Sequence, residues 1–292
     1  MNTNAPVGIF DSGFGGLTVA RAIVDLLPGE DLIYLGDTAR APYGPRPIAE
    51  VRTFALACLD ALVDMGVKAL VIACNSASAA VLADARERYS IPVVEVVLPA
   101  AKRAVRVSRT GKLAVLSTQA TATSRAYEDA VSATDAELTT IVCPRFVDFV
   151  EAGITSGEEL MGVAKDYLSP IIDTDVDTVI LGCTHYPLLA GVISYVLGDQ
   201  VTLVSSAEEC ATATYGTLAN EGLLREGDQG VRRFLTTGNP QRFTKIASRL
   251  LGDFVNTTEA FEEVIVDPAH THPRLPARSR RVQGNGKGVT AG

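Results

Sequence analysis

The sequence predicts an α/β protein of two similar halves, each built on a mainly parallel sheet. Residues 67–76 (VKALVIACNS) and 176–185 (VDTVILGCTH) are two versions of one segment, with Cys74 and Cys183 in the same place. Each segment is a short apolar run rich in Val, Ile and Leu, which is typical of a strand buried on both faces of a parallel sheet. Such strands alternate with amphipathic helices along the chain, as βαβ units do.

The first half contains four predicted strands with helices between them. Strands are predicted over 6–10, 32–35 and 92–96, together with the strand that precedes Cys74. Apolar residues at three- and four-residue steps predict a helix that Pro28 and Gly29 end, a long helix around 48–62 and a third over 77–89.

The same order begins again in the second half, so the repeat extends well beyond ten residues. Strands are predicted over 112–116, 138–142 and 201–204, with the Cys183 strand third among them, and helices around Tyr127 and over 159–171. Ser117 and Thr118 occupy the place of Asp11 and Ser12. Ser206 and Glu209 predict a capping box for a helix that runs through Leu218.

The repeat predicts the division of the chain. We expect a first three-layer α/β domain over 1–97 plus 206–266 and a second over 98–205, since the stretch after 218 has no counterpart and should return to the first half. An approximate two-fold axis would then point both sets of strand ends at a site between the domains, because ligands bind at the carboxyl ends of such strands. Residues 267–292, basic and rich in Gly and Pro, are predicted to form a disordered tail.

Composition excludes several classes of function. With 47% hydrophobic and 21% charged residues the chain is predicted to be globular, and no apolar run is long enough to span a membrane. A net charge of −8 argues against nucleic-acid binding. Five irregularly spaced cysteines and no secretion signal predict a protein of the reducing cytoplasm, whose thiols are free. The sequence leaves open whether the chain forms a homodimer.

No cofactor or metal is expected. The three histidines form no zinc-binding pattern, and no Walker or G-x-G-x-x-G motif appears. No lysine falls on a predicted strand-end loop, which argues against a pyridoxal phosphate Schiff base.

Two of the five cysteines are candidates for chemistry. Cys58 and Cys210 lie on helices and, with Cys143, are assigned to the core, since free cysteine is among the most buried residue types. Cys74 and Cys183 instead follow the last apolar residue of a strand in both halves. A thiol with a reference pKa of about 8.5 can act as a base near neutral pH if neighbouring groups help.

Polar residues on the same loops complete the candidate site. Asp11 and His185 could assist the thiols, although Asp11 could instead cap a helix. Small residues that can bind a carboxylate through hydroxyls and backbone N–H groups follow the strands: Ser12, Gly13, Asn75, Ser76, Thr118 and Thr184.

Four motifs in order resemble the cofactor-independent aspartate/glutamate racemase family. They are DSGFGG (11–16), GDTARAPYG (36–44), ACNSA (73–77) and GCTHYPL (182–188), and the similarity extends over roughly residues 6–265. The resemblance implies two α/β domains with the active site between them. It also implies the interconversion of L- and D-glutamate without a cofactor, which supplies D-glutamate for peptidoglycan precursors.

The resemblance also implies roles for individual residues. Cys74 would deprotonate D-glutamate with the assistance of Asp11, and Cys183 would deprotonate L-glutamate with the assistance of Glu151 and His185. Two thiols are needed because inversion removes a proton from one face of Cα and delivers another to the opposite face. The implied substrate contacts are Ser12, Tyr43, Gly44, Asn75, Ser76, Thr184 and His185, joined by Thr118 or Thr121.

Other functions stay open from the sequence. Within the same fold, racemases of aspartate or hydantoins and single-cysteine decarboxylases are rivals, although two matched cysteines disfavour a decarboxylase. Acyl transfer with Cys183 as nucleophile and His185 as base would leave Cys74 unexplained. A non-catalytic partner-binding protein is the third class.

Overall fold

The structure, a computed structural model, describes residues 2–261, in which ten strands form two fully parallel sheets. The first sheet has the order β10-β9-β2-β1-β3-β4 and the second β6-β5-β7-β8. The strands are β1 (Val7–Asp11), β2 (Leu32–Gly36), β3 (Ala69–Ile72), β4 (Val93–Glu95), β5 (Lys112–Ser117), β6 (Glu137–Val142), β7 (Thr178–Gly182), β8 (Thr202–Ser205), β9 (Arg232–Thr236) and β10 (Glu259–Ala260). The predicted fold class is therefore confirmed.

Eleven α-helices among the described residues cover the sheets. They are α1 (Leu17–Leu26), α2 (Ile48–Asp64), α3 (Asn75–Arg88), α4 (Val97–Val107), α5 (Gln119–Ser124), α6 (Ala126–Val131), α7 (Arg145–Ala152), α8 (Glu158–Leu168), α9 (Ala190–Leu197), α10 (Ser206–Asn220) and α11 (Pro240–Leu251). A 3₁₀ turn at Tyr186–Leu189 precedes α9. None of the helices in 2–261 combines the length and the apolar character that crossing a membrane requires.

The two halves repeat the same strand arrangement. The order β2-β1-β3-β4 in the first sheet matches β6-β5-β7-β8 in the second. Phe10 is in register with Ile72, and Ser117 is in register with Gly182. The residues just beyond these strand ends, including both strand-end cysteines, therefore occupy equivalent positions in the two halves.

Alternate strand residues pack into different parts of the core. Val7 and Ile9 of β1 belong to a large apolar cluster that also contains Leu113 and Val115 of β5 and residues of α1, α4 and α10. Phe10 points to the opposite face of the first sheet, where α2 and α3 cover it. A third cluster joins the outer face of the second sheet to α7, α8 and α9.

The stretch without a counterpart in the repeat returns to the first sheet. Its strand β9 pairs with β2, and β10 pairs with β9. The domain boundaries at 97 and 206 stay a prediction, because one apolar cluster extends across both sheets. The predicted tail at 267–292 lies outside the described residues.

One local prediction was wrong. Ser206 does not cap α10; Ser205 does, accepting a hydrogen bond from the backbone N–H of Glu208, while the Ser206 hydroxyl donates to the carbonyl of Leu181. The difference arises because the tertiary contact of Ser206 with Leu181 takes up its hydroxyl. The alternative role of Asp11 as a helix cap is excluded, because α1 begins only at Leu17.

Candidate active site

A cavity of about 250 Å³ lies between the two halves, at the carboxyl ends of their equivalent strands. Loops from both sheets line it, together with the amino end of α3 and one side of α7. The lining residues are Ser12, Gly13, Ala41, Pro42, Tyr43, Gly44, Pro45, Cys74, Asn75, Ser76, Thr118, Gln119, Pro144, Val147, Asp148, Glu151, Cys183, Thr184 and His185. Both candidate cysteines therefore open onto one space.

Cys74 is a buried thiol between β3 and α3. Its Sγ donates a hydrogen bond to Ser12 Oγ at 3.5 Å. Burial and the negative charge of Asp11 raise its pKa to about 12, although hydrogen bonding with Ser12 and with the Ala77 N–H opposes the rise. At neutral pH Cys74 is consequently a protonated thiol, suited to donate a proton.

Asp11 offers one free carboxylate oxygen at the end of β1. Its Oδ2 accepts a hydrogen bond from the Gly13 N–H at 2.9 Å and lies 3.2 Å from the Tyr34 hydroxyl. Its Oδ1 is buried and has no hydrogen-bond partner within residues 2–261. A buried carboxylate oxygen of this kind can accept a hydrogen bond from a ligand ammonium group.

Cys183 has a different neighbour, the imidazole of His185. Cys183 Sγ lies 3.8 Å from His185 Nδ1, and His185 Nε2 lies 3.3 Å from Glu151 Oε1 on α7. Burial lowers the pKa of His185, but the contacts with Cys183 and Glu151 outweigh it and raise the pKa to about 10. The imidazolium form therefore stands beside the Cys183 sulfur at neutral pH.

Three hydroxyl groups join the halves at the edge of the cavity. Ser76 Oγ lies 3.0 Å from Thr118 Oγ1 and 3.4 Å from Thr121 Oγ1, and the two threonine hydroxyls lie 3.2 Å apart. Thr118 lines the cavity, whereas Thr121 is buried behind it. Of the two alternatives left by the sequence, Thr118 is the one that lines the cavity.

Asn75, the first residue of α3, presents a free amide donor. Its Oδ1 accepts a hydrogen bond of 2.7 Å from the Tyr127 hydroxyl. Its Nδ2 is buried without a partner in the described part of the chain. The amide N–H₂ is thus available to a carboxylate in the cavity.

The loop after β2 closes the cavity from one side. The Tyr43 hydroxyl donates to Asp37 Oδ2 at 2.5 Å, so it is bound within its own half. The Gly44 carbonyl accepts a hydrogen bond from the Ala120 N–H at 2.8 Å, which ties this loop to α5 of the other half. Tyr43 and Gly44 therefore contribute mainly the shape of the wall.

Most residues predicted from the sequence surround this cavity. Asp11 lies just behind Ser12 and Gly13, and Thr121 lies behind Thr118. Thr184 and Glu151 line the wall that carries Cys183. The roles of these residues stay predictions.

Sequence reasoning missed several residues of the site. Gln119, Val147 and Asp148 line the cavity, but nothing in their local pattern marks them. Gly15 could have been noticed from the glycine run after β1. In the structure a Cβ at residue 15 would lie 2.3 Å from Thr184 Oγ1 and 2.4 Å from His185 Nδ1. The loop of the first half can pass the His185 ring only because residue 15 has no side chain.

The chain is similar to known amino-acid racemases. The family model for Asp/Glu/hydantoin racemases matches residues 8–214. The glutamate racemase of Parafrankia sp. (strain EAN1pec) is 64% identical over 253 residues, covering 86% of this chain and 92% of that protein.

Solved structures agree with the sequence comparison. Glutamate racemase isoform RacE1 of Bacillus anthracis superposes with a TM-score of 0.85 and 40% identity over 89% of this chain and 97% of that chain. Glutamate racemase of Francisella tularensis in complex with D-glutamate gives 0.82 and 34% identity, over 91% and 99% of the two chains. The similarity therefore extends across both sheets.

Proposed function

The chain belongs to the Asp/Glu/hydantoin racemase family, within which it is a glutamate racemase, and we propose that Cys74 and Cys183 act on opposite faces of the substrate Cα. The observation that carries this proposal is the placement of two buried thiols, from equivalent strand ends of two halves, on one cavity of about 250 Å³. A cavity of that size suits a small dicarboxylate.

The lining supports binding of a zwitterionic dicarboxylate by neutral donors. No Lys or Arg is among the lining residues, so the carboxylates bind to amide and hydroxyl groups such as Asn75 Nδ2, Ser76 Oγ and Thr118 Oγ1. Asp11, whose Oδ1 has no hydrogen-bond partner among the described residues, lies directly behind Ser12 and Gly13 and supplies a negative charge near the substrate ammonium group. Donors held toward the α-carboxylate stabilise the negative charge that develops when Cα loses its proton.

The different neighbours of the two cysteines suggest which one acts first as the base. With L-glutamate, the Cys183 thiolate removes the Cα proton, and the Cys74 thiol delivers its proton to the opposite face. The product is D-glutamate, and the enzyme is left with a Cys74 thiolate and a Cys183 thiol. The resting protein, with a thiol at Cys74 and an imidazolium beside Cys183, is therefore poised to bind L-glutamate.

A path to solvent supports the return of the enzyme to its starting state. After product leaves, both sulfurs face the emptied cavity, so Cys183 loses its proton to water there and Cys74 takes a proton from water. The reverse reaction from D-glutamate regenerates the same state directly.

The cellular role follows from the product. We propose that the enzyme works in the cytoplasm and supplies D-glutamate for peptidoglycan precursors. A reducing compartment suits a reaction that needs two thiols, and all five cysteines are free.

Acyl transfer by Cys183 and His185 finds less support. The pair has the distance of a thiol and its base, 3.8 Å between Sγ and Nδ1. However, Cys74 with its own partners, Ser12 and Asp11, would then have no function.

The direct test is incubation of the purified protein with either enantiomer of glutamate in D₂O, without added cofactor. We expect racemisation with incorporation of deuterium at Cα, read together by chiral chromatography and mass spectrometry. Cys74→Ser and Cys183→Ser should each abolish most racemisation and keep slow Cα exchange from one enantiomer only, D-glutamate for Cys183→Ser and L-glutamate for Cys74→Ser. Equal loss of exchange from both enantiomers in each variant would contradict the assignment of faces.

A further inference from the structure

Tyr127 is a buried tyrosine of α6 that the proposed reaction does not use. Only 1% of its surface is exposed. Its hydroxyl donates a hydrogen bond of 2.7 Å to Asn75 Oδ1, and Asn75 directly follows Cys74 in the other half. The hydroxyl end of this side chain is therefore attached to the loop of the first thiol.

The ring of the same tyrosine packs against the strand of the second thiol. Gly182, the last residue of β7, directly precedes Cys183. A Cβ at residue 182 would lie 3.1 Å from Tyr127 Cε2 and 2.7 Å from Val115 Cγ2. A single side chain thus contacts the chain neighbours of both cysteines.

We propose that Tyr127 is a positioning residue that turns the Asn75 amide toward the substrate and sets the spacing of the two thiol-bearing strand ends. The proposal rests on the proposed function, because it assigns Asn75 Nδ2 to a substrate carboxylate. It extends that function to a residue that does not touch the substrate cavity.

Such a residue is needed because the two ends of the asparagine amide have similar shapes but opposite hydrogen-bonding character. The O and N ends of the amide have nearly the same size, so a flip would point Oδ1 at the substrate carboxylate and repel it. Tyr127 prevents the flip, because its single hydroxyl proton goes to Oδ1 and, among the described residues, to no other acceptor. Burial raises the pKa of Tyr127 well above its usual value, so the hydroxyl keeps this proton.

Removal of the hydroxyl tests the orientation of the amide. Tyr127→Phe keeps the ring against Gly182 and deletes the donor. We expect KM for both enantiomers to rise about fivefold, with kcat within twofold of wild type, because substrate and transition state lose the same hydrogen bond. The matched control is Tyr89→Phe, which removes a hydroxyl that donates to Asp60 between α2 and α3 and should lower the melting temperature without changing KM.

A double-mutant cycle separates positioning from general destabilisation. Asn75→Ala should raise KM by itself, and the addition of Tyr127→Phe should then change KM less than twofold, since no amide is left to orient. A KM for Tyr127→Phe within twofold of wild type, or a full fivefold effect on the Asn75→Ala background, would overturn the proposal. Absence of glutamate racemisation by the wild type would instead overturn the proposed function itself.

Substitution of the glycine that the ring contacts tests the spacing. Gly182→Ala should lower kcat at least tenfold, because the new methyl group displaces the ring or the strand end next to Cys183. Gly8→Ala is the matched control: it also adds a methyl group to a central strand, 3.0 Å from Val67 Cγ1, but at the opposite end of the first sheet. A Gly182→Ala enzyme with the kcat of Gly8→Ala would show that Tyr127 does not set the spacing.

Discussion

Cys74 and Cys183 have the same chemistry and equivalent positions but opposite electrostatic surroundings. Burial and the Asp11 carboxylate raise the pKa of Cys74 to about 12, which keeps this thiol protonated. The sulfur of Cys183 instead lies 3.8 Å from His185 Nδ1, and this imidazole is positively charged at neutral pH. Two equivalent side chains therefore have neighbours of opposite charge.

The Glu151 carboxylate should affect the pH dependence of kcat/KM. It raises the pKa of His185, so its removal lowers that pKa and deprotonates His185 at a lower pH. We expect Glu151→Gln to shift the alkaline decline of kcat/KM for L-glutamate down by about one pH unit from its wild-type position near pH 10.

The measurement is a set of initial rates with L-glutamate between pH 7 and 11. Glu159→Gln is the control, because Glu159 is an exposed carboxylate of the adjacent helix that pairs with Arg145. If the pH profile of Glu151→Gln coincides with that of Glu159→Gln, then Glu151 does not raise the pKa of His185.

At the scale of elements, the loops that follow the strands meet across the two halves. The Thr18 hydroxyl at the start of α1 donates to the Thr184 carbonyl at 3.0 Å, and Ser76 joins Thr118 and Thr121. These contacts bring the loop of one sheet to the strand end of the other. The catalytic geometry therefore depends on how closely the loops approach.

Gly15 provides a test of that approach. Gly15→Ala would place a methyl group within 2.4 Å of His185 Nδ1 and must separate the β1–α1 loop from the loop that holds His185. We expect kcat/KM to fall about a hundredfold, because displacement of a catalytic group by about 1 Å has an effect of that size.

The comparison should be with Gly162→Ala on the exposed face of α8, where a Cβ has no neighbour within 4 Å. That change removes a helical glycine and should leave activity unaltered while stabilising the protein slightly. If Gly15→Ala keeps wild-type kcat/KM, the close approach of the two loops has no part in catalysis.

At the scale of the whole molecule, a buried ion pair lies at the end of the first sheet opposite the candidate active site. Lys68 and Glu30 form a fully buried ion pair, with 2.5 Å between Nζ and Oε2, just before β3 and β2. Lys68 also donates to the Thr3 carbonyl at 2.6 Å, and Glu30 accepts from the Arg225 N–H at 2.8 Å. This network binds the amino-terminal segment and the loop before β9 to the end of the sheet remote from the thiols.

Disruption of this pair should lower stability without altering the reaction. Lys68→Met leaves the Glu30 carboxylate buried and unpaired, so we expect the free energy of unfolding to fall by about 3–5 kcal/mol in urea titrations. The kcat of the folded fraction should stay within twofold of wild type. The double variant Lys68→Met/Glu30→Leu should recover part of the loss, because no uncompensated charge remains. A stability of Lys68→Met equal to wild type would show that the pair contributes nothing.

Sequence reasoning located eight of the ten described strands and both thiols, because each depends on local pattern, but it missed β9 and β10. Apolar runs at 69–72 and 178–182 define buried strands wherever they pack, and a cysteine after each run lies at a strand end. The glutamate specificity came from the family resemblance that four motifs carry, and the relatives agree with it. Glu151 was reached only by resemblance, since a carboxylate on an amphipathic helix carries no local mark of function.

By itself, then, the sequence determined a duplicated parallel α/β fold and a pair of strand-end cysteines, since hydrophobic periodicity and residue order encode both. Only the tertiary structure decided that Glu151 reaches His185, that Gly15 passes the imidazole and that Tyr127 connects Asn75 with Gly182. These contacts join residues that are far apart in the chain, and those of Gly15 with His185 and of Tyr127 with Asn75 also join the two halves. Their distances depend on how the two sheets pack against each other, and no local pattern records that packing.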